Sequence, residues 1–177
     1  MPFGREYLTF WRNANSLEFM GPVLRRKRFK FRARQIRQAN GYSSLGASLG
    51  LRETSVDALI NEIRGGLPFK TLESFSAESG LGVSEIAVLI GLPERTLARR
   101  KVAGRLTSGE SERLLRLSKV FEQVVNLFEG NVSAAVAWLE TPKRALGDKS
   151  PWTYLQTEIG AREVEDLIGQ LEHGVVA

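Results

Sequence analysis

The sequence predicts an all-α fold that contains a helix-turn-helix, and three observations support this. Apolar residues recur at spacings of three and four in successive segments from about residue 55 onwards, which is the period of an amphipathic helix. Glycine and proline separate these segments at Gly80, Gly91, Pro93 and Gly104, where helices are expected to begin or end. No segment shows a convincing strand pattern, so the chain is expected to consist of helices and loops.

The predicted helices follow one another with short breaks. The first is a short amphipathic helix, stopped by Gly65 and Gly66, with Val56, Leu59, Ile60 and Ile63 as its apolar stripe. The longest has Thr107 before it and Glu110 three residues later, which is the capping-box pattern. Pro68 and Pro93 each suit a first helical position. Helices are predicted at residues 55–64, 68–79, 85–90, 93–103, 108–128, 132–139, 152–157 and 161–172.

The composition limits the classes of protein to which the chain can belong. Its 177 residues, 42% hydrophobic and 25% charged, suit one or two small globular domains. There is no run of about 18 apolar residues, and polar residues interrupt the N-terminus too early for a signal peptide. A cytoplasmic protein is therefore expected. The absence of cysteine excludes disulfides, cysteine zinc sites and thiol nucleophiles.

The net charge of +5 is unevenly distributed along the chain. Residues 1–40 hold ten lysines and arginines against two acidic residues, whereas the remaining residues hold 15 against 18. The basic block at 25–32 repels itself, so residues 1–45 are predicted to be a basic, disordered extension. An arm that contacts DNA phosphates is the alternative. The overall charge is therefore weak evidence for nucleic-acid binding.

Residues 83–105 have the pattern of a helix-turn-helix. Such a unit needs a short first helix, a tight turn and a second helix whose outer face can enter the major groove. Ala87 and Gly91 supply the small residues at the crossing and the turn, and Pro93 opens the second helix. The apolar anchors are predicted to be Ile86, Ile90, Leu92 and Leu97.

The second helix of this unit concentrates positive charge in an otherwise mildly acidic region. Arg95, Thr96 and Arg99 are predicted to contact base edges, because the N-terminal and middle positions of such a helix lie deepest in the groove. The predicted phosphate contacts are Arg100, Lys101 and Arg105. An arginine-rich solvated helix in an ordinary bundle is the alternative. Helix-turn-helix modules usually bind paired half-sites, so self-association is expected.

The sequence carries no recognisable catalytic, cofactor or metal site, and an enzyme is not expected. His173 is the only histidine and has no partners at a metal-ligand spacing. Trp138, Trp152 and Tyr154 flank apolar helices and are predicted to be core residues. Four acidic residues near the C-terminus are predicted to be solvated charges on one helix face: Glu158, Glu163, Glu165 and Asp166.

Several ordered blocks resemble the Xre-like antitoxins of the MbcA/ParS/Xre family. The resemblance covers about residues 55–177, and the consistent spacing of the blocks makes it more specific than a generic helix-turn-helix. The blocks are RTLARRK at 95–101, GRLT at 104–107, ESERLLRL at 110–117, AWL at 137–139, ALG at 145–147, SP at 150–151, TEIGA at 157–161, VEDLIG at 164–169 and EHGVVA at 172–177.

The resemblance implies a protein with two domains. Residues 46–117 would be the Xre-like helix-turn-helix domain, which binds the operator of its own toxin–antitoxin operon. Residues 118–177 would form a homodimer or a higher hetero-oligomer and hold the cognate toxin, usually a RES-domain protein that consumes NAD+. A stand-alone dimeric helix-turn-helix regulator without a toxin is the alternative.

By the same resemblance, the C-terminal end reaches towards the active site of the toxin. The residues carried over by position are Glu172, His173, Gly174, Val175, Val176 and Ala177. A small apolar tail with a flexible glycine also has no evident use in a helical core. The sequence departs from the family pattern at Lys143, where asparagine is frequent, and at Asp148, where glycine is frequent.

Overall fold

The structure is a computed structural model and describes residues 41–52 and 55–174. Regular structure within those ranges is helical, as the sequence predicts, with two isolated β-bridges, Pro68 to Arg105 and Lys143 to Lys149. Single 3-10 turns lie at Ala47–Leu49 and Arg144–Leu146. The described helices are α1 (Val56–Gly65), α2 (Phe69–Ser79), α3 (Val83–Leu89), α4 (Glu94–Ala103), α5 (Ser108–Leu127), α6 (Val132–Glu140), α7 (Pro151–Tyr154) and α8 (Glu158–Glu172).

Side-chain caps determine where several helices begin. Ser55 Oγ accepts a hydrogen bond from Ala58 N at the start of α1. At the start of α5, Thr107 Oγ1 accepts from Glu110 N, and the Glu110 carboxylate accepts from Thr107 N in return. The capping box predicted from the sequence is therefore confirmed. A cap of this kind typically contributes about 1 kcal/mol to helix stability.

The two prolines that precede helices lie one position earlier than predicted. Pro68 and Pro93 are the N-cap residues of α2 and α4, and the helices begin at Phe69 and Glu94. Both prolines have ψ near 145°, outside the helical range. A proline lacks the backbone N–H, but neither the N-cap nor the first helical position uses that group in a helical hydrogen bond. The sequence pattern therefore cannot distinguish these two positions.

The predicted apolar stripe of α1 is only half buried. Leu59 and Ile63 face the core, whereas Val56 and Ile60 are exposed. α1 packs mainly against α5, so only a narrow face of this helix is covered.

The 20-residue helix α5 is the centre of the core. Its fully buried side chains include Leu114, Leu117 and Phe121, and the ring of Phe121 meets that of Phe75 edge-on at 5.2 Å. α5 packs against α1, α6, α8 and the turn at Ala47–Leu49. The predicted division between residues 46–117 and 118–177 falls inside α5, and its buried stripe continues across that point.

The packed part of the chain begins before the predicted end of the N-terminal extension. Tyr42 N donates to Asn126 Oδ1 at 2.7 Å, and Asn126 Nδ2 donates to Tyr42 O at 2.9 Å. The Tyr42 hydroxyl donates to Glu78, and its ring lies 6.0 Å from that of Phe121. An aromatic side chain with partners on α2 and α5 thus holds residues that we expected to be disordered. The rest of the predicted extension, residues 1–40, lies outside the described residues.

Two of the four acidic residues predicted to be solvated also join α8 to α5, and one of them, Glu158, is exposed as predicted. Glu158 forms an ion pair with Arg116, and Glu165 Oε2 lies 2.7 Å from Lys119 Nζ. Glu163 and Asp166 are exposed, as predicted. The apolar positions Val164 and Ile168 are buried beneath these pairs. The sequence missed the pairs because their partners lie more than 40 residues away.

The loop after α6 contains Lys143 and Asp148, the two residues that depart from the family pattern. Trp138 is buried, as predicted, and Lys143 Nζ lies 4.8 Å from the centre of its ring. Burial lowers the pKa of Lys143 to about 8. Asp148 has φ +57°, a left-handed conformation that favours glycine. Trp152 is buried as well, whereas Tyr154 is half-buried.

Candidate nucleic-acid interface

Helices α3 and α4 form the predicted helix-turn-helix. The turn between them is closed by hydrogen bonds from Leu92 N to Ala87 O at 2.7 Å and from Gly91 N to Val88 O at 3.0 Å. Gly91 has φ +65°, and a Cβ there would meet no neighbouring atom within 4 Å. Glycine is therefore required by the backbone conformation of the turn and not by lack of space.

Leu97 anchors α4 to the protein. It is the buried residue of this helix, and the other predicted anchors are also buried, namely Ile86, Ile90 and Leu92. Beyond the end of α4, Phe69 N donates to Gly104 O and Leu106 N donates to Leu67 O, both at 2.9 Å. The helix is thus fixed along one side and at its C-terminal end, so its opposite face is held in a defined orientation.

The face opposite Leu97 carries two of the three residues predicted to contact bases. Arg95 and Arg99 are both exposed and lie four positions apart, so their side chains project from the same face of α4. Thr96 is half-buried at the edge of this face. The structure therefore brings the two arginines together and leaves Thr96 at the side.

Arg100 has a partner inside the protein, which the sequence did not predict. Its Nε lies 2.8 Å and 3.1 Å from the two carboxylate oxygens of Glu110 on α5. Burial alone would raise the pKa of Glu110, but hydrogen bonds from Arg100 and Thr107 outweigh it and hold the pKa below its usual range. Arg100 stands three residues after Leu97, so it points towards α5 and not towards the outer face. We therefore set it apart from the predicted phosphate contacts.

The two other predicted phosphate contacts are both exposed. Lys101 lies in the last turn of α4, and Arg105 follows the helix. Arg105 Nε donates to Gly66 O at 3.2 Å, so one nitrogen of its guanidinium is held by the loop before α2. The exposed cations around α4 are consequently Arg95, Arg99, Lys101 and Arg105.

Arg113 supports the turn and was not identified from the sequence. Its Nε donates to Ile90 O at 2.6 Å, where α3 ends and carbonyl groups lack helical partners. A cation at this end of a helix also interacts favourably with the helix dipole. The two residues are 23 positions apart, so no local pattern could have revealed the contact.

The predicted toxin-binding tail lies at the end of α8. Glu172 closes the helix, and Glu172, His173 and Gly174 are all exposed. His173 N donates to Gly169 O, and Gly174 has φ +68°. Val175, Val176 and Ala177 lie outside the described residues.

Two other features are absent from the part of the chain that the structure describes: a cluster of metal ligands and a helix able to cross a membrane. No group of three or more histidine or acidic side chains there could hold a metal ion. None of its helices combines the length and apolar character needed to span a membrane.

Two family models match consecutive parts of the chain. Residues 58–119 match the antitoxin Xre-like helix-turn-helix domain. Residues 123–174 match the antitoxin Xre/MbcA/ParS C-terminal toxin-binding domain. The first match includes α3 and α4, and the second includes α6, α7 and α8.

Curated relatives with the name antitoxin Xre are similar over most of the chain. The protein from Yersinia enterocolitica is 39% identical over 133 residues, which cover 75% of this chain and 90% of the relative. That from Photorhabdus laumondii is 36% identical over 123 residues, covering 69% and 81%. That from Pseudomonas putida is 32% identical over 84 residues, covering 47% and 52%.

Proposed function

Because the chain belongs to the Xre antitoxin family, we propose that it is a cytoplasmic, non-enzymatic regulator that neutralises a RES-type toxin and represses its own operon. The helix-turn-helix and the toxin-binding domain are the two parts that such a role requires. The observation that carries the DNA-binding half is the exposed pair Arg95 and Arg99, held opposite the buried anchor Leu97.

The DNA-binding surface combines two kinds of contact. Arg95 and Arg99 reach base edges, with Thr96 beside them, and an arginine can donate two hydrogen bonds to a guanine. Lys101 and Arg105 contact phosphates, which supply affinity without sequence information. Arg100 contributes indirectly by fixing α4 to α5 through Glu110. Two copies of the chain are expected on one operator, since helix-turn-helix proteins generally read paired half-sites.

The toxin-binding half is supported by the way in which α8 is held. Its first three turns are fixed to α5 by the pairs that Glu158 and Glu165 form and by buried Val164 and Ile168. Its last residue, Glu172, and the two residues that follow it, His173 and Gly174, are exposed. A firmly packed helix with an exposed end can present residues 172–177 to a partner. We propose that this partner is a RES-type, NAD-consuming toxin and that the tail blocks its active site.

One set of variants tests both halves of the proposal. The double variant Arg95→Ala/Arg99→Ala should lose affinity for the DNA upstream of its own gene and still neutralise the toxin. Each arginine that contacts a base should cost about 1–3 kcal/mol of binding free energy. Deletion of residues 172–177 should leave DNA affinity unchanged and abolish neutralisation of the toxin. Arg162→Ala is the matched control for operator binding, because Arg162 is an exposed arginine on α8 and lies outside α4.

The outcomes separate the alternatives. Operator binding that the double variant leaves intact would contradict the assignment of α4. A truncated chain that still protects cells would contradict the role of the tail. If the chain binds its operator but forms no complex with the product of the adjacent gene, it is a regulator without a toxin.

A further inference from the structure

Val102 on α4 is the most exposed of the large apolar residues that the structure describes. Its side chain is 91% accessible, whereas the next in order, Ile159 and Val56, are 77% and 73% accessible. An isolated exposed valine is common on protein surfaces and needs no explanation by itself. Its position relative to the two arginines makes this one informative.

Val102 lies on the same face of α4 as Arg95 and Arg99. The three residues are spaced by four and then by three positions, which places them along one side of a helix, opposite Leu97. Ala98 and Ala103 are the other exposed residues around this line. The surface therefore consists of two arginines, one valine and two alanines, and the small side chains allow a groove to approach α4 closely.

The chemistry of the major groove provides an apolar partner for such a valine. Thymine is the base that presents a methyl group there, and apolar side chains contact that group in sequence-specific complexes. Valine suits the role because its side chain has one strongly preferred rotamer in a helix, so its methyl groups are held in place before binding.

Helix stability does not explain the choice of valine. At an exposed helical position valine is a poorer helix former than alanine or arginine, because it loses side-chain freedom against the preceding turn. The residue also lies outside the buried core.

We infer that Val102 is a specificity-determining residue that contacts a thymine methyl group in the operator; this rests on the proposed DNA-binding function. Val102 is about 10 Å from Arg95 along the helix axis, from the 1.5 Å rise per residue. With α4 lying along the groove, the thymine is therefore about three base-pair steps from the base that Arg95 contacts.

The test replaces each thymine of the upstream DNA in turn by deoxyuridine, which removes the methyl group and keeps base pairing. Dissociation constants are measured at one salt concentration for the wild-type chain, for Val102→Ala and for the control Val56→Ala. One thymine in each half-site should lose about fourfold in wild-type affinity, as expected for one buried methyl group. Val102→Ala should bind the unmodified operator at least fourfold more weakly and lose that sensitivity, and Val56→Ala should behave as wild type.

Two further measurements are the melting temperature of Val102→Ala and the sequence specificity of DNA binding. Val102→Ala should melt at the same temperature as the wild-type chain or higher, because alanine is the better helix former. A deoxyuridine profile that Val102→Ala leaves unchanged overturns the inference, while salt-dependent, sequence-specific binding in the same assay preserves the DNA-binding function. If the wild-type chain does not distinguish the operator from a scrambled duplex, the proposed function itself fails.

Discussion

Glu110 and Glu122 lie on the same helix and are equally buried, at 5% exposure each, yet the protein satisfies them in different ways. Glu110 meets the guanidinium of Arg100 and caps α5 through Thr107 N. Among the described residues, the donors to Glu122 are neutral: Gly46 N at 3.1 Å, Ser48 N at 2.8 Å and Ser48 Oγ at 2.6 Å.

The different donors give the two carboxyl groups opposite pKa shifts. Burial raises the pKa of Glu122, and the hydrogen bonds from Ser48 and Gly46 offset this only in part. For Glu110 burial acts in the same direction, but the bonds from Arg100 and Thr107 prevail and lower the pKa. A cation partner therefore stabilises the charged form of Glu110, whereas burial makes the charged form of Glu122 less favourable than it is in water. The first group holds α4, the second helix of the helix-turn-helix, and the second group holds the turn at Ala47–Leu49.

The largest expected effect comes from Glu110→Gln. This variant keeps the size of the side chain but leaves the largely buried Arg100 without its counter-charge, so the free energy of unfolding should fall by about 2–3 kcal/mol. Chemical denaturation at neutral pH measures this loss. The control Glu112→Gln changes an exposed glutamate on the same helix and should stay within about 0.5 kcal/mol of wild type. Equal stability of the two variants would show that the ion pair contributes nothing.

The same substitution at the second site, Glu122→Gln, should cost less, about 1 kcal/mol at neutral pH. The glutamine oxygen can still accept from Ser48, but its amide group would place a donor against Gly46 N. No buried cation is left unpaired. The measurement is denaturation in the same buffer as for Glu110→Gln. A loss as large as that of Glu110→Gln would contradict the distinction between charged and neutral donors.

These two glutamates also show what the sequence can predict. The capping box that contains Glu110 is a local pattern and was identified, and so were the helices, the turn and the anchor Leu97. The ion pair with Arg100 was missed because it depends on how α4 packs on α5. Glu122 gave no local signal at all, since its partners lie 74 and 76 positions earlier in the chain.

The candidate DNA-binding site also contains some residues whose roles the sequence predicts and others whose roles it does not. The period of α4 was sufficient to place Arg95 and Arg99 on its outer face, because that face follows from the position of Leu97. It was not sufficient to tell that Arg100 is engaged, nor that Arg113 supports the turn from α5. Contacts between elements determine those two roles, and a sequence pattern records only positions within one element.

Ser48→Ala tests the contribution of one neutral donor to Glu122 and is a smaller change than the glutamine substitutions. It removes the hydrogen bond from Ser48 Oγ to Glu122 and keeps that from Ser48 N, so a loss of about 0.5–1 kcal/mol is expected. The pKa of Glu122 should rise further, because a bond that stabilises its charged form is gone. Thermal denaturation compares the variant with Ser43→Ala, which changes an exposed serine nearby and should leave stability unaltered. Identical melting curves for the two variants would argue against a role for this hydroxyl.

The smallest effect is a dependence on pH with opposite signs at the two sites. Glu122 has a folded pKa above its unfolded value, so its contribution to stability is full below the unfolded pKa and is lost as pH rises through the folded pKa. Glu110 has a lowered pKa, so its contribution is present above the unfolded pKa, near 4.5, and is lost as pH falls through the folded pKa.

Free energies of unfolding measured between pH 7 and pH 3 should therefore diverge for the two glutamine variants. Relative to wild type, the penalty of Glu122→Gln should grow as the solution is acidified, because only the wild-type side chain gains a stabilising proton. The penalty of Glu110→Gln should shrink below about pH 4.5, because Glu110 of the unfolded wild-type chain takes up a proton there while the folded carboxylate, with its lowered pKa, still keeps its charge. Parallel pH profiles would mean that the two carboxyl groups titrate alike, and the contrast between a charged and a neutral set of donors would then not govern their stability.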